Sequence, residues 1–180
     1  MFNIIDLGTS KITGITVKES NGMQKVVGFS SKSTAGLKKG SIINITETSK
    51  TIAEVIEDLQ NQSGENIRVV DVSFSGELIS STNSTGLATI SDKEVSVKDQ
   101  QSALQTSIAM NVPGDKELLN VVPSQYIIDG QPGIKEPKGM TGVRLEVRTH
   151  LVYCSKNSIS NISKCIEEIN GLQINKFYFN

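Results

Sequence analysis

The order of apolar patterns near the N-terminus limits the fold of this chain more than any other feature. Three apolar, strand-like segments lie within residues 3–30, and Asn21-Gly22 between the last two predicts a tight hairpin. Residues 47–60 then place apolar side chains at helical spacing, and residues 67–74 predict a fourth strand. Because a strand that follows a helical crossover pairs in parallel with an earlier strand, we expect a mixed sheet covered by helices.

Two amphipathic helices are predicted to pack on this sheet. Thr46 is placed to cap the first helix, one face of which carries Ile52, Val55, Ile56 and Leu59. The second helix begins near Asn157, ends before Gly171 and carries on one face Ile159, Ile162, Ile166 and Ile169. Residues 172–180 predict a fifth strand. This order of elements is that of a ribonuclease H-like α/β core.

A polar, turn-rich segment that begins at Glu77 interrupts this pattern. It contains one short predicted strand at residues 87–90 and then a predicted helix capped by Ser96. The side chains of this helix that are expected to face inward are Ala103, Leu104 and Ile108. Two longer strands are predicted at residues 117–130 and 142–154, separated by a segment rich in glycine and proline. Together these elements form a strand-helix-strand-strand unit of their own.

We therefore predict an α/β chain with two domains. Residues 1–83 and 154–180 form the ribonuclease H-like mixed sheet with its helices, and residues 84–153 form a smaller α+β insert. The chain is long enough to bury the cores that this arrangement needs, since it has 180 residues with a hydrophobic content of 37%.

Composition and charge exclude several classes of protein. The formal net charge is −1, so no positive field favours nucleic acid or an anionic membrane as the main partner. The longest apolar runs are short strands, and the N-terminus lacks the pattern of a signal peptide. His150 is the only histidine, which excludes a multi-histidine metal site. Cys154 and Cys165 lack metal-ligand spacing and are expected to be reduced structural thiols.

The turn after the first strand, in the sequence IIDLGTSKI, is the strongest candidate for chemistry. Gly8 lets the backbone approach an anion closely, and Thr9 and Ser10 supply hydroxyl donors. Lys11 adds a positive charge, and Asp6 at the strand end suits a contact to Mg²⁺ through water. An ordinary hairpin turn has the same residue types, so these residues alone leave both interpretations open.

The position of this turn at the start of a ribonuclease H-like core resembles the first phosphate motif of the actin-like ATPase superfamily. Within that superfamily, an insertion after the fourth strand resembles the arrangement of the FtsA family. Two further segments resemble FtsA: STAGLKKGSIINI before the first helix, and LNVVPSQYIIDGQPGIKEPKGMTGVRLEVRTHLV in the insert. The resemblance extends over essentially the whole chain, and it implies domain 1A of FtsA interrupted by domain 1C.

The resemblance also implies a ligand and a location. In the family, ATP with Mg²⁺ is held between two facing halves, and the protein is cytoplasmic, peripheral on the inner face of the cell membrane at the division site. The residues expected to contact the phosphates and, through water, the metal are Asp6, Gly8, Thr9, Ser10 and Lys11. Because the chain stops at Asn180, we expect it to hold only the N-terminal half and part of that site. We therefore expect weak ATP binding or none, no catalytic residue and no direct membrane contact from this chain.

The resemblance further implies protein partners. An FtsA-like adaptor would self-associate into an actin-like filament, help to link the FtsZ ring to the membrane and recruit later division proteins. We expect Arg144, Glu146 and Arg148, which alternate with apolar residues on one strand, to contribute to the contact between subunits. The candidate rim of this surface consists of Lys135, Glu136 and Lys138. A solvated strand face would explain the same alternation.

Two other functions remain open from the sequence. An actin-like adaptor of type IV pilus assembly shares the plan of an inserted domain, and a sugar-kinase-like phosphotransferase shares the core. The phosphotransferase would need an acidic base and a sugar pocket, supplied largely by a second half. The segment GIKEPKGMTGVRLEVRTHLV favours cell division over pilus assembly.

Overall fold

The strands of the chain form two main sheets in a computed structural model that describes residues 1–76 and 79–179. One compact unit contains Met1–Ile79 and Ser155–Asn180, and the other contains Ser80–Cys154. Glu77, where the sequence pattern changes, lies outside the described residues.

The described elements are β-strands, α-helices and one π-helical turn. In chain order they are β1 (Phe2–Leu7), β2 (Lys11–Ser20), β3 (Met23–Ser33), β4 (Leu37–Lys38), β5 (Ser41–Ile42), α1 (Ile45–Ser63), β6 (Val69–Phe74), β7 (Ile79–Thr89), α2 (Val97–Asn111), β8 (Lys116–Ile128), β9 (Gln131–Ile134), β10 (Arg144–Ser155), α3 (Lys156–Ser163), the π-helical turn Lys164–Glu168 and β11 (Gln173–Phe179). Among the described residues, no helix is both long and apolar enough to span a membrane.

The sheet of the first unit contains five strands in the order β11-β6-β1-β2-β3. β2 pairs antiparallel with both β1 and β3, whereas β6 lies parallel to both β1 and β11. The mixed sheet expected for a ribonuclease H-like core is therefore confirmed. Because β1, β6 and β11 run in one direction, their carboxyl ends meet at one edge of the sheet, which is where open α/β sheets place ligands.

The predicted two-residue hairpin between β2 and β3 is present. Asn21 and Gly22 have φ of 53° and 74°, as this hairpin requires.

Close packing of α1 on the sheet depends on glycine. A methyl group at Gly14 on β2 would lie 2.5 Å from Val55 and 2.7 Å from Leu59 of the helix. The predicted inward face of α1 is confirmed, since its buried apolar residues are Ile52, Val55, Ile56 and Leu59.

The N-cap of α1 is Asn44, and not Thr46 as predicted. Asn44 has an extended backbone, and its side-chain oxygen accepts a hydrogen bond from the amide of Glu47 at 3.1 Å. Thr46 lies inside the first turn and is exposed. The prediction was wrong because Asn and Thr are both favoured as caps, and the apolar pattern does not determine which of them begins the turn.

Replacing Asn44 with Ala should lower the free energy of unfolding of the first unit by about 1 kcal/mol, because an amide at the helix N-terminus loses its acceptor. Thr46→Ala is the matched control, with an expected change within about 0.5 kcal/mol. Urea denaturation followed by circular dichroism measures both changes. Equal losses in the two variants would contradict the assignment of the cap.

The C-terminal helix changes from α-helical to π-helical hydrogen bonding at Lys164. The amide of Ile169 donates to the carbonyl of Lys164 at 3.2 Å, five residues back. Ile162 and Ile166 are buried as predicted, but Ile169 is 56% exposed. The wider turn rotates Ile169 away from the buried face, so its assignment to that face from helical spacing was wrong.

The second unit contains a four-stranded sheet in the order β7-β10-β8-β9 and the helix α2. Two predictions about its strands need correction. β7 is much longer than the short strand expected at residues 87–90, and β9 lies in the segment rich in glycine and proline, where no strand was predicted. Serine, threonine and asparagine fill most of β7, so it lacks the apolar alternation that marks a strand.

Ser96 caps α2, as predicted. Its hydroxyl accepts a hydrogen bond from the amide of Asp99 at 3.2 Å, and its own amide donates to the Asp99 carboxylate at 2.9 Å. Hydrogen bonds from the Ser96 side chain and amide hold the pKa of Asp99 below its usual value. Ala103 and Leu104 of α2 pack against a core that contains Ile90, Val95, Tyr126, Ile128, Leu145 and Val147.

The two cysteines have the character expected of structural thiols. Cys154 and Cys165 are buried, and neither forms a disulfide. Burial raises the pKa of each thiol. Since the thiolate is the reactive form of cysteine, a raised pKa makes both side chains less reactive.

Candidate functional site

The turn between β1 and β2 is held in place by three hydrogen bonds. The amide of Gly8 donates to the carbonyl of Lys11 at 3.1 Å, which closes the turn. Thr34, which follows β3, holds the turn from the side. Its hydroxyl donates to the Gly8 carbonyl at 2.7 Å, and its amide donates to the Ser10 carbonyl at 3.1 Å. The neighbouring part of the sheet therefore fixes the conformation of the turn.

The amides of Thr9 and Ser10 donate no hydrogen bond within the described ranges, and both residues are exposed. Successive free amides in a fixed turn are an arrangement that binds anions. Asp6 is half-buried at the end of β1, and Lys11 is exposed at the start of β2. A methyl group at Gly8 would lie 2.7 Å from the Lys11 carbonyl and 3.8 Å from the Asp6 carboxylate. The donors available to a phosphate are therefore those of Thr9 and Ser10, because the Gly8 amide is already used.

A second turn, at residues 36–40, contacts the first. Gly36, Lys39 and Gly40 have positive φ of 78°, 51° and 81°. The amide of Gly40 donates to the hydroxyl oxygen of Thr9 at 3.1 Å. Because that oxygen acts as an acceptor here, the Thr9 hydroxyl can still donate its own hydrogen to a ligand.

Gly76, which follows β6, meets the same turn. A methyl group at Gly40 would overlap the carbonyl oxygen of Ser75, and one at Gly76 would lie 2.7 Å from the carbonyl oxygen of Lys39. Three backbone segments therefore converge near the carboxyl ends of β1 and β6. Sequence reasoning did not single out Gly40 or Gly76 as site residues. The glycines at each end of residues 36–40 were the available signal.

The predicted interface residues of β10 divide into an ion pair and a separate arginine. Nη2 of Arg144 lies 2.8 Å from Oε1 of Glu146. Arg148 lies on the same exposed face of the strand and forms no ion pair with the described residues. Exposed and buried side chains alternate from Arg144 to Leu151, which is the pattern of a half-solvated strand.

The lysines proposed as a rim lie after β9. β8 separates β9 from β10, so Lys135 and Lys138 follow a strand two positions away from the arginines. Lys135 lines a groove with residues of β8. The amide of Lys138 donates to Oε1 of Glu136 at 3.3 Å. The structure therefore brings Arg144, Glu146 and Arg148 onto one strand and places the lysines toward the β9 edge.

Comparison with solved structures identifies the class of the fold. A chain of a PilM-PilN type IV pilus biogenesis complex has a TM-score of 0.63 to this protein, and the match covers 99% of this chain and 47% of that chain. The two sequences are 13% identical, so the likeness shows the fold alone. Together with the mixed sheet and its α+β insert, it shows that this chain has an actin-like fold.

Sequence comparison shows similarity to FtsA proteins. Residues 76–153 match the SHS2 domain inserted in FTSA. Cell division protein FtsA of Pseudomonas aeruginosa is 37% identical over 171 residues, covering 94% of this chain and 41% of that protein. Cell division protein FtsA of Escherichia coli is 30% identical over 176 residues, covering 97% of this chain and 42% of that protein. The chain is similar to the N-terminal part of FtsA along nearly its whole length, and it spans about two-fifths of the length of these relatives.

Proposed function

We propose that this chain forms the N-terminal part of an actin-like adaptor of bacterial cell division. The adaptor self-associates, helps to link the FtsZ ring to the membrane and recruits later division proteins at the cytoplasmic face of the division site. The observation that carries this proposal is an FtsA-type SHS2 domain at residues 76–153 within an actin-like fold. Similarity to FtsA proteins along nearly the whole chain supports the same function.

We further propose that the turn from Asp6 to Lys11 supplies part of an ATP–Mg²⁺ site. The amides and hydroxyls of Thr9 and Ser10 would hold phosphate oxygens, and Lys11 would add positive charge. Asp6 would contact the metal through water, since Mg²⁺ keeps much of its hydration in proteins. These groups lie on one edge of one sheet, so a second wall is needed to enclose a nucleotide. No catalytic residue is assigned.

The two alternative functions have less support. Similarity to the PilM-PilN complex is confined to the fold at 13% identity, whereas the FtsA relatives reach 37% identity. A sugar-kinase-like phosphotransferase needs a catalytic base and a sugar pocket. Asp6 is the acidic residue of the proposed site, and its place beside the phosphate turn suits metal contact better than sugar binding.

Microscopy of a full-length FtsA-type protein that carries this chain tests the adaptor function. A fluorescent fusion should form a band with FtsZ at the division site. Depletion of the protein should leave FtsZ rings that lack later division proteins. Diffuse fluorescence in cells with intact FtsZ rings, or normal division after depletion, would contradict the proposal.

Changing both Arg144 and Arg148 to Glu should weaken self-association of the full-length protein at least about tenfold, because reversing both charges would remove the electrostatic complementarity of the proposed contact. Folding should be unaffected, since both side chains lie on an exposed strand face. Analytical ultracentrifugation measures the change.

The matched control exchanges Arg144 and Glu146, which keeps the ion pair and the charge of the strand. Unchanged sedimentation of the double reversal, together with normal division, would show that this face of β10 is only solvated.

A further inference from the structure

The second compact unit, Ser80–Cys154, is called the SHS2 unit below because the SHS2 match covers most of it. It contains a polar groove of about 510 Å³. Every residue that lines it has a hydrogen-bonding side chain, and none is acidic. The residues that line it come from β7, α2, β8 and β10. The side chains of Asn83, Thr85, Arg148 and His150 project from one face of β7 and β10, since alternate residues of a strand share a face and His150 contacts Asn83. A groove of this size can hold a small molecule or part of a larger one.

The two arginines of β10 differ in what surrounds them. Arg144 forms its ion pair with Glu146, so its charge is already compensated. Arg148 lines the groove and has no acidic partner among the described residues. A guanidinium group presents several N–H donors in a fixed plane, which suits the oxygens of a phosphate group. Arg148 therefore supplies the main charge for an anion in the groove.

Hydrogen bonds fix the elements that carry this groove before any ligand binds. Asn111 donates to the hydroxyl oxygen of Ser84 at 2.7 Å, and the Ser84 hydroxyl donates to the carbonyl of Ser107 at 2.7 Å. The hydroxyl of Ser124 donates to the carbonyl of Arg148 at 3.1 Å. A site that is ordered in advance loses less entropy when a ligand binds.

A hydrogen bond also fixes the orientation of the His150 ring. Its Nδ1 lies 2.9 Å from the side-chain oxygen of Asn83. Because an amide oxygen can only accept, Nδ1 donates the hydrogen in this contact. Nε2 then has no partner within the described ranges, and in the neutral ring it can accept a hydrogen bond from a P–OH group of a phosphate. The exposed hydroxyl of Thr85 adds a further donor on the same groove.

We propose that this groove binds the phosphate group of a small molecule or of a phosphorylated side chain. Arg148 supplies the charge, while Thr85 and His150 contribute polar contacts from neighbouring strands. The groove exceeds the size of one phosphate, so it also holds part of the group that carries the phosphate. This site is separate from the turn at residues 6–11, and it does not depend on nucleotide binding there.

Titration of the ¹⁵N-labelled 180-residue chain tests the site, with inorganic phosphate and O-phosphoserine as probes at constant ionic strength. Saturable amide shifts should appear at residues 83–85 and 148–150. Arg148→Gln should weaken binding at least about tenfold, the amount expected for a charge-assisted hydrogen bond. Arg144→Gln is the matched control and should leave the affinity unchanged. Circular dichroism of both variants verifies that they remain folded.

The two probes also distinguish the source of the phosphate. If O-phosphoserine binds more tightly than inorganic phosphate, the ligand is a phosphorylated side chain. If inorganic phosphate binds equally or more tightly, the ligand is a small molecule that carries a phosphate group. Three results would overturn the proposal: shifts that do not saturate, equal losses in the two arginine variants, or shifts confined to residues 8–10. Equal saturation of the groove by succinate would overturn its assignment to phosphate.

Discussion

A single methyl group at Gly86 should destabilise the SHS2 unit by about 3 kcal/mol, at the upper end of the usual cost of overpacking. In a Gly86→Ala variant, the new carbon would overlap the carbonyl oxygen of Ala103 and lie 2.6 Å from the amide nitrogen of Ser107. Both are backbone atoms of α2, which cannot move aside as the end of a flexible side chain can. The helix must therefore shift away from β7, which disturbs the core that Ala103 helps to fill.

Hydrogen exchange measured by mass spectrometry should show which elements lose stability in the Gly86→Ala variant. Amides of α2 and β10 should exchange faster in the variant, while those of α1 and β6 should keep the rates of the unchanged protein, since they belong to the other compact unit. Gly114→Ala is the matched control in the same unit, because a methyl group there meets no atom within 4 Å. Wild-type exchange in Gly86→Ala would show that α2 does not pack on β7 at this distance.

The first sheet could be predicted from the sequence because its signals are local. Asn21-Gly22 indicates the turn geometry by itself, and its φ values of 53° and 74° match that expectation. The apolar residues of α1 repeat at helical spacing, so they mark the buried face without knowledge of the partner strands. In β10, charged and apolar side chains alternate, and this alternation marks a half-exposed strand in the same local way.

Features that depend on distant contacts could not be predicted in this way. β7 is polar along most of its length, and its strand structure comes from its pairing within the sheet. The exposure of Ile169 follows from a π-helical turn, which breaks the helical spacing used to assign its face.

The candidate site was predictable only in part. The turn from Asp6 to Lys11 is visible in the sequence because glycine, hydroxyl and acidic residues follow a strand. Its contact with Gly40 joins residues 31 positions apart, through the hydroxyl of Thr9. No spacing rule relates these positions, so the convergence with Gly76 required the folded sheet.

The isolated 180-residue chain should show no ATPase activity and at most very weak binding of ATP with Mg²⁺. The turn from Asp6 to Lys11 contacts a ligand from one side only, and binding must first offset the loss of ligand freedom. Hydrolysis also needs groups that position water and stabilise charge on the opposite side of the phosphates. Calorimetry that gives a micromolar affinity for this chain alone would show that the site does not need a second half.

In a full-length FtsA-type protein that carries this chain, Gly8→Val should weaken ATP–Mg²⁺ binding at least about a hundredfold, because it disturbs two or more contacts worth about 1.5 kcal/mol apiece. Asp6→Ala should weaken it at least about tenfold, because it removes one charged contact to the hydrated metal. A side chain at Gly8 would press on the Lys11 carbonyl at 2.7 Å and open the turn that presents the Thr9 and Ser10 amides. Asp6→Ala leaves the turn intact and removes the charge facing the metal.

The two variants therefore separate the parts of the proposed site. Inorganic phosphate or ATP without Mg²⁺ should still bind to Asp6→Ala as to the unchanged protein, but not to Gly8→Val, because only the second variant disturbs the amide donors. Gly114→Val controls for the added bulk, since the position is open and lies in the other compact unit. Full ATP–Mg²⁺ affinity in Gly8→Val would show that this turn is a hairpin without a role in nucleotide binding.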